Sequence, residues 1–506
     1  MQKLKFILLK TLLAFLCIFS HISYANDHTI ALNAIEFRTT SNIDKLPSLD
    51  AITSKFIGHS IDANLLTRLL NEITTYYREN GYPSSRAYLP EQSIDNSGVV
   101  LVDIVYTQIS DIDINIDNNF IKKSTKNMIF SPLKDLVLHK VQTNKLEKEL
   151  LMLSDLGQFD IKASMSEDIK DLSSATIDVL VSEKQKLTGA IVADNHGIKS
   201  TGDYRLYGYG LISNLTGHLD SLSLFLASTN KDQRNFNLNY EIPITKYKTL
   251  LGFGSCFNNY ELGEDYKFLG AKGSSLSAEI FLKQPLLRDF NNKTDFYTGF
   301  RYRDIKDEFE LFDIEFKKHS LAFYTSLHSQ NKLTDNMLLS SMAKFTLGKI
   351  YNDDVYEMAY DKAFLIGNFN ANLNYLLDKN IDVFLDLQSQ FASTNLDGSE
   401  FFSIGGADGV AAFDSNKAAG DYGYLFKTGF NLKSFKDILT LSPNLSLAHT
   451  AYKGFGDGVT LSSAGLDISL RYRGFFTKFQ GSTPLSKKDK DDDSFKIFGQ
   501  FGYSFI

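Results

Sequence analysis

Asn235-Phe236-Asn237-Leu238-Asn239-Tyr240-Glu241-Ile242 places its apolar side chains on one face of an extended strand and its amides and acid on the other. Ser221-Leu222-Ser223-Leu224-Phe225-Leu226 keeps the same two-residue period. So does Ile381-Asp382-Val383-Phe384-Leu385-Asp386-Leu387-Gln388. The texture runs from residue 186 to the end, roughly 320 residues. A soluble sandwich also alternates, but one of that length would be unusually large. A barrel with an apolar band outside and a polar lumen explains the pattern without a giant core. Turn-like breaks divide the segment into about sixteen strands, an even count of the kind bacterial barrels have. The expected fold is therefore an all-β transmembrane barrel of about sixteen antiparallel strands over 186–506.

The flanking sequence fits that setting. Residues 1–25 read as a secretory signal: Lys3, Lys5 and Lys10 precede the short apolar run Leu12 to Phe19, and Ser23-Tyr24-Ala25 offers a cleavage point. Cleavage would remove Cys17 and leave Cys256 as the only thiol, so no internal disulfide is available. No later stretch is apolar enough for a membrane helix. Membrane residence would then require closed strands, because every backbone polar group must be paired in lipid. The chain ends Phe501-Gly502-Tyr503-Ser504-Phe505-Ile506, with aromatics alternating as on the last strand of a barrel. A net charge of -7 argues against a nucleic-acid partner.

Two small α/β units are expected ahead of the barrel, at 28–109 and 110–184. The first reads strand, helix, helix, strand, strand. Ser60 is the expected cap of a helix striped by Leu65, Leu66, Leu69, Leu70, Ile73, Tyr76 and Tyr77, with Gly81 as its stop. In the second, Ile112, Ile114 and Ile116 mark a strand, Asn144 to Leu156 a helix, and 159–165 and 175–181 two further strands.

Signatures of catalysis are missing. The nine His residues show no H-E-x-x-H spacing, and there is no G-x-S-x-G elbow. Asp111-x-Asp113-x-Asn115 imitates a calcium loop, but Ile116 stands where the turn needs Gly and Lys122 where Glu should close the site. It reads better as a strand with an acidic solvent face. No catalytic residue, cofactor site or metal site is expected, and the chain is read as a non-enzyme.

Tyr77-Arg78-Glu79-Asn80-Gly81-Tyr82-Pro83-Ser84-Ser85-Arg86-Ala87-Tyr88-Leu89-Pro90-Glu91-Gln92 resembles the first periplasmic POTRA domain of two-partner secretion transporters, the exporters of haemolysin and filamentous-haemagglutinin type. Leu150 to Gly157 is similar to their second POTRA helix and turn. Asp194-Asn195-His196-Gly197, Thr201-Gly202, Arg205, Asn214, Gly217, Asp220, Tyr240 and Pro243 resemble the opening strands of their barrel. Glu400, Gly405-Gly406, Val410, Phe413 and Gly420-Asp421-x-Gly423 are similar to the segment around its long inward-folded loop, here about 393–419. Ser463-Ala464-Gly465-Leu466 and Pro484-Leu485 continue the match.

The resemblance implies an outer-membrane translocator with its POTRA domains in the periplasm. Its partner would be a large secreted exoprotein, haemolysin- or adhesin-like and β-helical, delivered unfolded by the general secretion pathway; outer-membrane lipids would surround the barrel. Tyr77, Tyr82, Arg86, Tyr88, Leu89 and Gln92 are the candidate substrate contacts, although Tyr82 and Tyr88 equally suit packing within their own domain. Gly405, Gly406, Val410, Ala411, Ala412 and Phe413 form the lumen-loop motif, where Phe413 suits either loop packing or a plug contact. The family's loop carries V-R-G-Y/F, whose Arg pairs with the Asp of F-x-D-x-G on the barrel wall. Here the loop reads Val410-Ala411-Ala412-Phe413, and the wall segment Leu447-Ala448-His449-Thr450-Ala451 makes His449 the candidate partner. Losing both members of a buried ion pair is far cheaper than losing one. Lys417 and Asp414 are the candidates to replace the lost charge. Two other readings stand beside export: a barrel-assembly insertase, and a passive porin or surface structural barrel.

Overall fold

The computed structural model describes residues 30–505 except 40–47, 81, 83–84, 106–107, 118–119, 140–142, 168–173, 232, 353–361, 416, 435–436, 487–488 and 490–491. The signal segment, Gly81 and Ile506 lie outside the described residues. By compactness the chain falls into two units: residues 1–111 with 139–143 and 165–177, and the remainder.

In the first unit, β1 (Ala34–Thr39), α1 (Asp50–Thr53), α2 (Ala63–Glu79), β2 (Arg86–Tyr88) and β3 (Val99–Val105) follow in that order. The sheet order is β1-β3-β2, with β1 parallel and β2 antiparallel to β3. Leu65, Leu69, Ile73 and Tyr77 recur every four residues on α2 and are buried against Val100, Val102 and Ile104 of β3. The cap of α2 is Asp62, whose side chain accepts from the Leu65 amide at 2.6 Å. Ser60, the expected cap, instead bridges to Ala31. The helix begins only at Ala63, so the Ser60 hydroxyl stands two residues ahead of the cap position.

Next come β4 (Gln108–Ile116), α3 (Lys123–Asp135), α4 (Thr143–Ser154), β5 (Phe159–Glu167) and β6 (Ser174–Glu183), with sheet order β4-β6-β5. Asp111 and Asp113 lie exposed on β4, as expected of a strand with an acidic outer face. Helix α3 was not legible from periodicity, because Pro132 interrupts it. Proline removes the amide that would bond the carbonyl four residues back. That carbonyl, Met128 O, accepts instead from the Ser131 hydroxyl at 3.0 Å. Ile129, Phe130 and Leu133 bury the helix.

The barrel begins with β7 (Leu187–Asp194), β8 (Arg205–Ser213), β9 (Ser221–Thr229), β10 (Arg234–Pro243), β11 (Leu250–Glu261) and β12 (Ala271–Arg288). It continues through β13 (Asn292–Phe309), β14 (Ile314–Thr334), β15 (Met337–Asn352), β16 (Ala363–Asp378) and β17 (Ile381–Ala392). Two short strands, β18 (Phe402–Ser403) and β19 (Ala419–Gly420), pair with each other outside the wall. The wall resumes with β20 (Tyr422–Ser434), β21 (Leu439–Tyr452), β22 (Phe455–Tyr472), β23 (Phe475–Pro484) and β24 (Lys496–Phe505). Sixteen strands close into an antiparallel barrel.

Closure pairs β24 with β7, from Gln500↔Asp194 to Phe505↔Gly189. Gly189 is needed there, since a Cβ would stand 2.3 Å from Tyr209 O and 2.7 Å from the Phe505 ring. Leu226, Phe236, Phe369, Phe391, Phe501 and Tyr503 project outward and are exposed, while Asn235, Asn237, Asn368, Asn370 and Gln390 line the interior. A charge placed on the outward band at mid-membrane would cost about 2–4 kcal/mol.

The second unit also holds the barrel's turns against α3 and α4. Asn214, at φ 53, accepts from the Leu219 amide, and Asp220 accepts from Thr216 and from the Tyr240 hydroxyl at 3.0 Å. Gly217 O receives the Lys122 amide at 2.8 Å. Lys248, 1% exposed, bonds Glu149 of α4, and Arg288 bonds Asp155 and Asp295. Burial lowers the Lys248 ammonium's pKa, and the nearby Glu149 carboxylate only partly offsets it.

Candidate functional site: the loop inside the barrel

Between β17 and β20 the chain turns back into the barrel. Asp397 opens the excursion by capping a single 3-10 turn at Gly398–Glu400. The tip is made tight by glycine: at Gly406, φ 86°, a Cβ would lie 2.4 Å from Ser415 Oγ, and at Gly405 it would lie 2.1 Å from Asp414 O. Ile404, Val410, Ala412 and Phe413 are buried in one cluster with Leu425 of β20, Ala448 of β21 and Leu461 of β22. Phe413 is therefore a contact between loop and lumen wall. Ala411 lies in a separate cluster with Ala407 and Phe498 of β24.

Charged contacts fasten the base. Glu400 Oε1 accepts from Arg301 Nη2 at 2.7 Å and Arg303 Nη1 at 3.1 Å, both on β13. Lys318 of β14 donates to Asp397 at 2.8 Å. Burial works to raise the Asp397 carboxyl, but the Lys318 hydrogen bond and charge outweigh it and hold the group below the usual carboxylate range. Asp421, 1% exposed, accepts from the Leu396 and Lys453 amides at 2.9 and 2.7 Å. Across the lumen, Lys496 of β24 bonds Asp414, and Lys417 bonds Asp489 and Asp492 at 2.7 and 2.6 Å. Partial burial works to lower the Lys417 ammonium, yet its two carboxylate partners raise it overall. Gln480 of β23 donates to Ala407 O at 3.3 Å.

The proposed wall partner is corrected by strand register. Leu445 and Leu447 face outward at 54% and 41% exposed, whereas Ser446, Ala448 and Thr450 are buried inward. His449 shares the outward parity and stacks on Tyr424, ring centroids 6.0 Å apart. It does not face the loop. The inward positions are Ser446, Ala448 and Thr450, and Ala448 is the one packed against the loop's apolar cluster. No carboxylate stands there, and an apolar cluster fills the space. Asp414 does carry charge to the wall, at Lys496 of β24, whereas Lys417 reaches Asp489 and Asp492 in the β23–β24 connection.

In the first α/β domain the candidate contacts separate. Tyr77 and Tyr82 are 2% and 1% exposed and meet edge to face at 6.1 Å, so they pack their own core and offer no surface. Gln92 spends its amide on Leu101, accepting from its N–H at 2.8 Å and donating to its carbonyl at 2.7 Å. It thereby continues the pairing of β3 beyond the end of β2. Leu89 packs partly against the core. Arg86 and Tyr88 are exposed on β2, an edge strand.

Sequence reasoning marked Glu400 and Asp421 but missed their partners. Arg301-Tyr302-Arg303 was the available signal: two cations on the same face of a membrane strand demand inward acceptors. Asp489 and Asp492, from the Lys- and Asp-rich run between β23 and β24, supply the carboxylates for Lys417.

The family described as haemolysin secretion/activation protein ShlB/FhaC/HecB matches residues 173–454, more than half the chain. The chain belongs to this family. The ShlB-type POTRA domain matches residues 30–107. The heme/hemopexin transporter protein HuxB of Haemophilus influenzae is 25% identical over 454 residues, covering 84% of this chain and 78% of HuxB. The solved structure of CdiB from Escherichia coli aligns with a TM-score of 0.72 at 19% identity, covering 96% of this chain and 92% of that one. BamA from Haemophilus ducreyi lacking POTRA domains 1–3 aligns at 0.57 and 15% identity, covering 94% and 100%, a likeness of fold alone. As a member of the ShlB/FhaC/HecB family, this chain is an outer-membrane transporter of two-partner secretion. It carries a secreted exoprotein through its barrel, and its POTRA domains lie in the periplasm.

Proposed function

We propose that the exported partner is a large, haemolysin- or adhesin-like β-helical protein that arrives unfolded through the general secretion pathway after its own signal is removed. Residues 1–25 act as this chain's signal, 28–109 and 110–184 as its two POTRA domains, and 186–506 as the lipid-surrounded barrel. The partner adds a strand at the exposed edge of β2, where Arg86 and Tyr88 project and Leu89 borders the core, because an unpaired edge accepts main-chain hydrogen bonds from any extended segment. The loop at 393–419 then withdraws, and folding outside biases the movement with no nucleotide. Chemistry on the partner is no part of this reading.

The observation that carries it is the loop itself: a closed barrel with one of its own loops folded inside, fastened by Glu400 and Asp397 to β13 and β14 and by Lys417 to the β23–β24 connection. A passive pore has no use for a fastened plug. The insertase reading rests on fold likeness alone, while the family match points to export. The test expresses the chain in a heterologous Gram-negative host with the large exoprotein encoded beside it. Exoprotein in the medium only when the chain is present is the expected result; equal amounts without it would sink the proposal.

A further inference from the structure

Four of the six inward positions on β16 between residues 364 and 374 are asparagines: Asn368, Asn370, Asn372 and Asn374. Asn235, Asn237 and Asn239 form a second such row on β10. Both rows face open space in the lumen. Asn370 and Asn372 border a cavity of about 500 Å³, and Asn237 and Asn239 border one of about 820 Å³. No charged side chain interrupts either asparagine run, and the charges sit on facing strands: Lys293, Asp295 and Asp386 border the first cavity, and Glu279, Arg301 and Arg303 the second.

We propose that these two amide rows form a sequence-neutral track that binds the backbone of an extended polypeptide in transit. The inference rests on the export reading above and assigns a binding site within it.

Same-face residues on a strand recur every two residues, about 6.8 Å apart. An extended chain running beside the strand presents one N–H and one C=O on the same edge with that same repeat. Each asparagine offers one carbonyl and one NH₂, so successive rungs match successive peptide pairs whatever the side chains are. The exchange is nearly balanced, because a protein–water hydrogen bond is traded for a similar one and nets only about 0.5–1.5 kcal/mol. A rung can therefore hold a passing chain without trapping it. Charges in place of the amides themselves would detain oppositely charged segments.

The rows retain bonding capacity. Asn239 Oδ1 is buried and its Nδ2 donates to Glu241 at 3.3 Å, so the open positions on β10 are Asn235 and Asn237, which border the cavities. On β16 the rungs are linked, Asn374 Nδ2 donating to Asn372 Oδ1 at 2.5 Å, and Asn372 to Asp386. The row also ends at the loop. Asn368 donates to Gln390 Oε1 at 2.9 Å, and Gln390 Nε2 donates to the carbonyls of Glu400 and Asp421 at 2.8 and 3.1 Å. A chain that climbs the β16 rungs arrives beside the hydrogen bonds that hold the loop's base.

The test uses the purified full-length protein and, as probe, a fluorescent uncharged 20-residue peptide of Gly, Ser and Thr. A photoreactive residue replaces Asn370, Asn237 or, as a lumen control away from both rows, Gln500 of β24, which sits between Lys478 and Asp194. Labelling at 370 and 237 should exceed that at 500 by about fivefold or more. With the photoreactive residue at 370, adding N372L/N374L should abolish the excess. N372S/N374S, which keeps the wall polar and guards against a folding defect, should roughly halve it. Heat-modifiable mobility verifies each barrel. Equal labelling at all three positions, or undiminished labelling in both paired variants, would overturn the track while leaving export standing. No labelling anywhere in the lumen would overturn the track as well, while export is judged separately by exoprotein in the medium.

Discussion

The first α/β domain and the loop inside the barrel both secure a segment around fully buried apolar side chains, Leu69 at 0% exposed in one and Phe413 at 1% in the other. Their surroundings differ. Leu69 belongs to a continuous core from Leu32 to Ile104, formed by a helix stripe and a sheet face. Phe413 belongs to a patch of eight buried residues, and most of the loop's other fastenings are charged or amide groups on a polar wall. A core of the first kind opens only with its whole domain, whereas contacts of the second kind exchange one at a time with water. The loop is built to let go.

The largest effect should come from the domain. Leu69→Ala removes buried volume with no route for water to replace it, and should cost about 2–5 kcal/mol. Hydrogen-exchange protection of the β3 amides in the full-length protein measures it. Phe413→Ala should leave those amides and the barrel's heat-modifiable mobility unchanged while loosening the loop. Equal loss of β3 protection in both variants would break the contrast.

Next is Glu400→Gln. The neutral amide gives up charge-assisted bonds to Arg301 and Arg303, worth about 1.5–3 kcal/mol. Ion conductance through single barrels in a planar bilayer should rise, because the base of the loop is released. Conductance equal to wild type would show that Asp397 and Lys417 suffice.

A smaller effect sharpens the account of the loop tip. Arginine at 411 meets Phe498, not an acid, so Ala411→Arg overpacks a closed site. Phe498→Ala should recover at least about 0.5 kcal/mol of that loss by making room. His449→Asp should recover nothing, since its side chain is on the outer face. Exported partner per barrel for the single and double variants measures both, and rescue by His449→Asp would restore the original pairing.

How far the sequence carried these conclusions depends on the period of the interactions. Alternation in Asn235 to Ile242 and in Ile381 to Gln388 assigned lumen and lipid faces correctly, because lipid enforces a two-residue period along the strand. The same logic failed at His449. There Ala448 and Thr450 are inward yet small, so residue type alone did not reveal the face. The fastenings were hidden for another reason: Arg301 and Glu400 are 99 residues apart, and the inward fold of the loop across the lumen brings them together. Tyr77 and Tyr82 misled because an aromatic beside a helix end serves a core and a binding edge equally well until burial is known.

The smallest expected effect is an absence of pH dependence, and the shifted groups fix its window. Asp397 has its carboxyl pKa depressed in the folded loop. Its contribution is fully present above the unfolded value of about 3.9 and is lost only as pH falls through the lower folded value. Lys417 has its ammonium pKa raised. Its contribution is fully present below about 10.4 and is lost as pH rises through the higher folded value. Between roughly pH 5 and 9 neither group changes state, so both fastenings persist unchanged across that range. Conductance of wild-type barrels should accordingly stay flat from pH 5 to 9 and increase under stronger acid, as Asp397 takes up a proton and releases Lys318. Asp397→Asn should remove the acid-induced rise attributable to this contact and set a higher conductance at neutral pH. A step in wild-type conductance near pH 6.5 would instead point to a histidine and would show that charge pairs at Asp397 and Lys417 do not govern the loop.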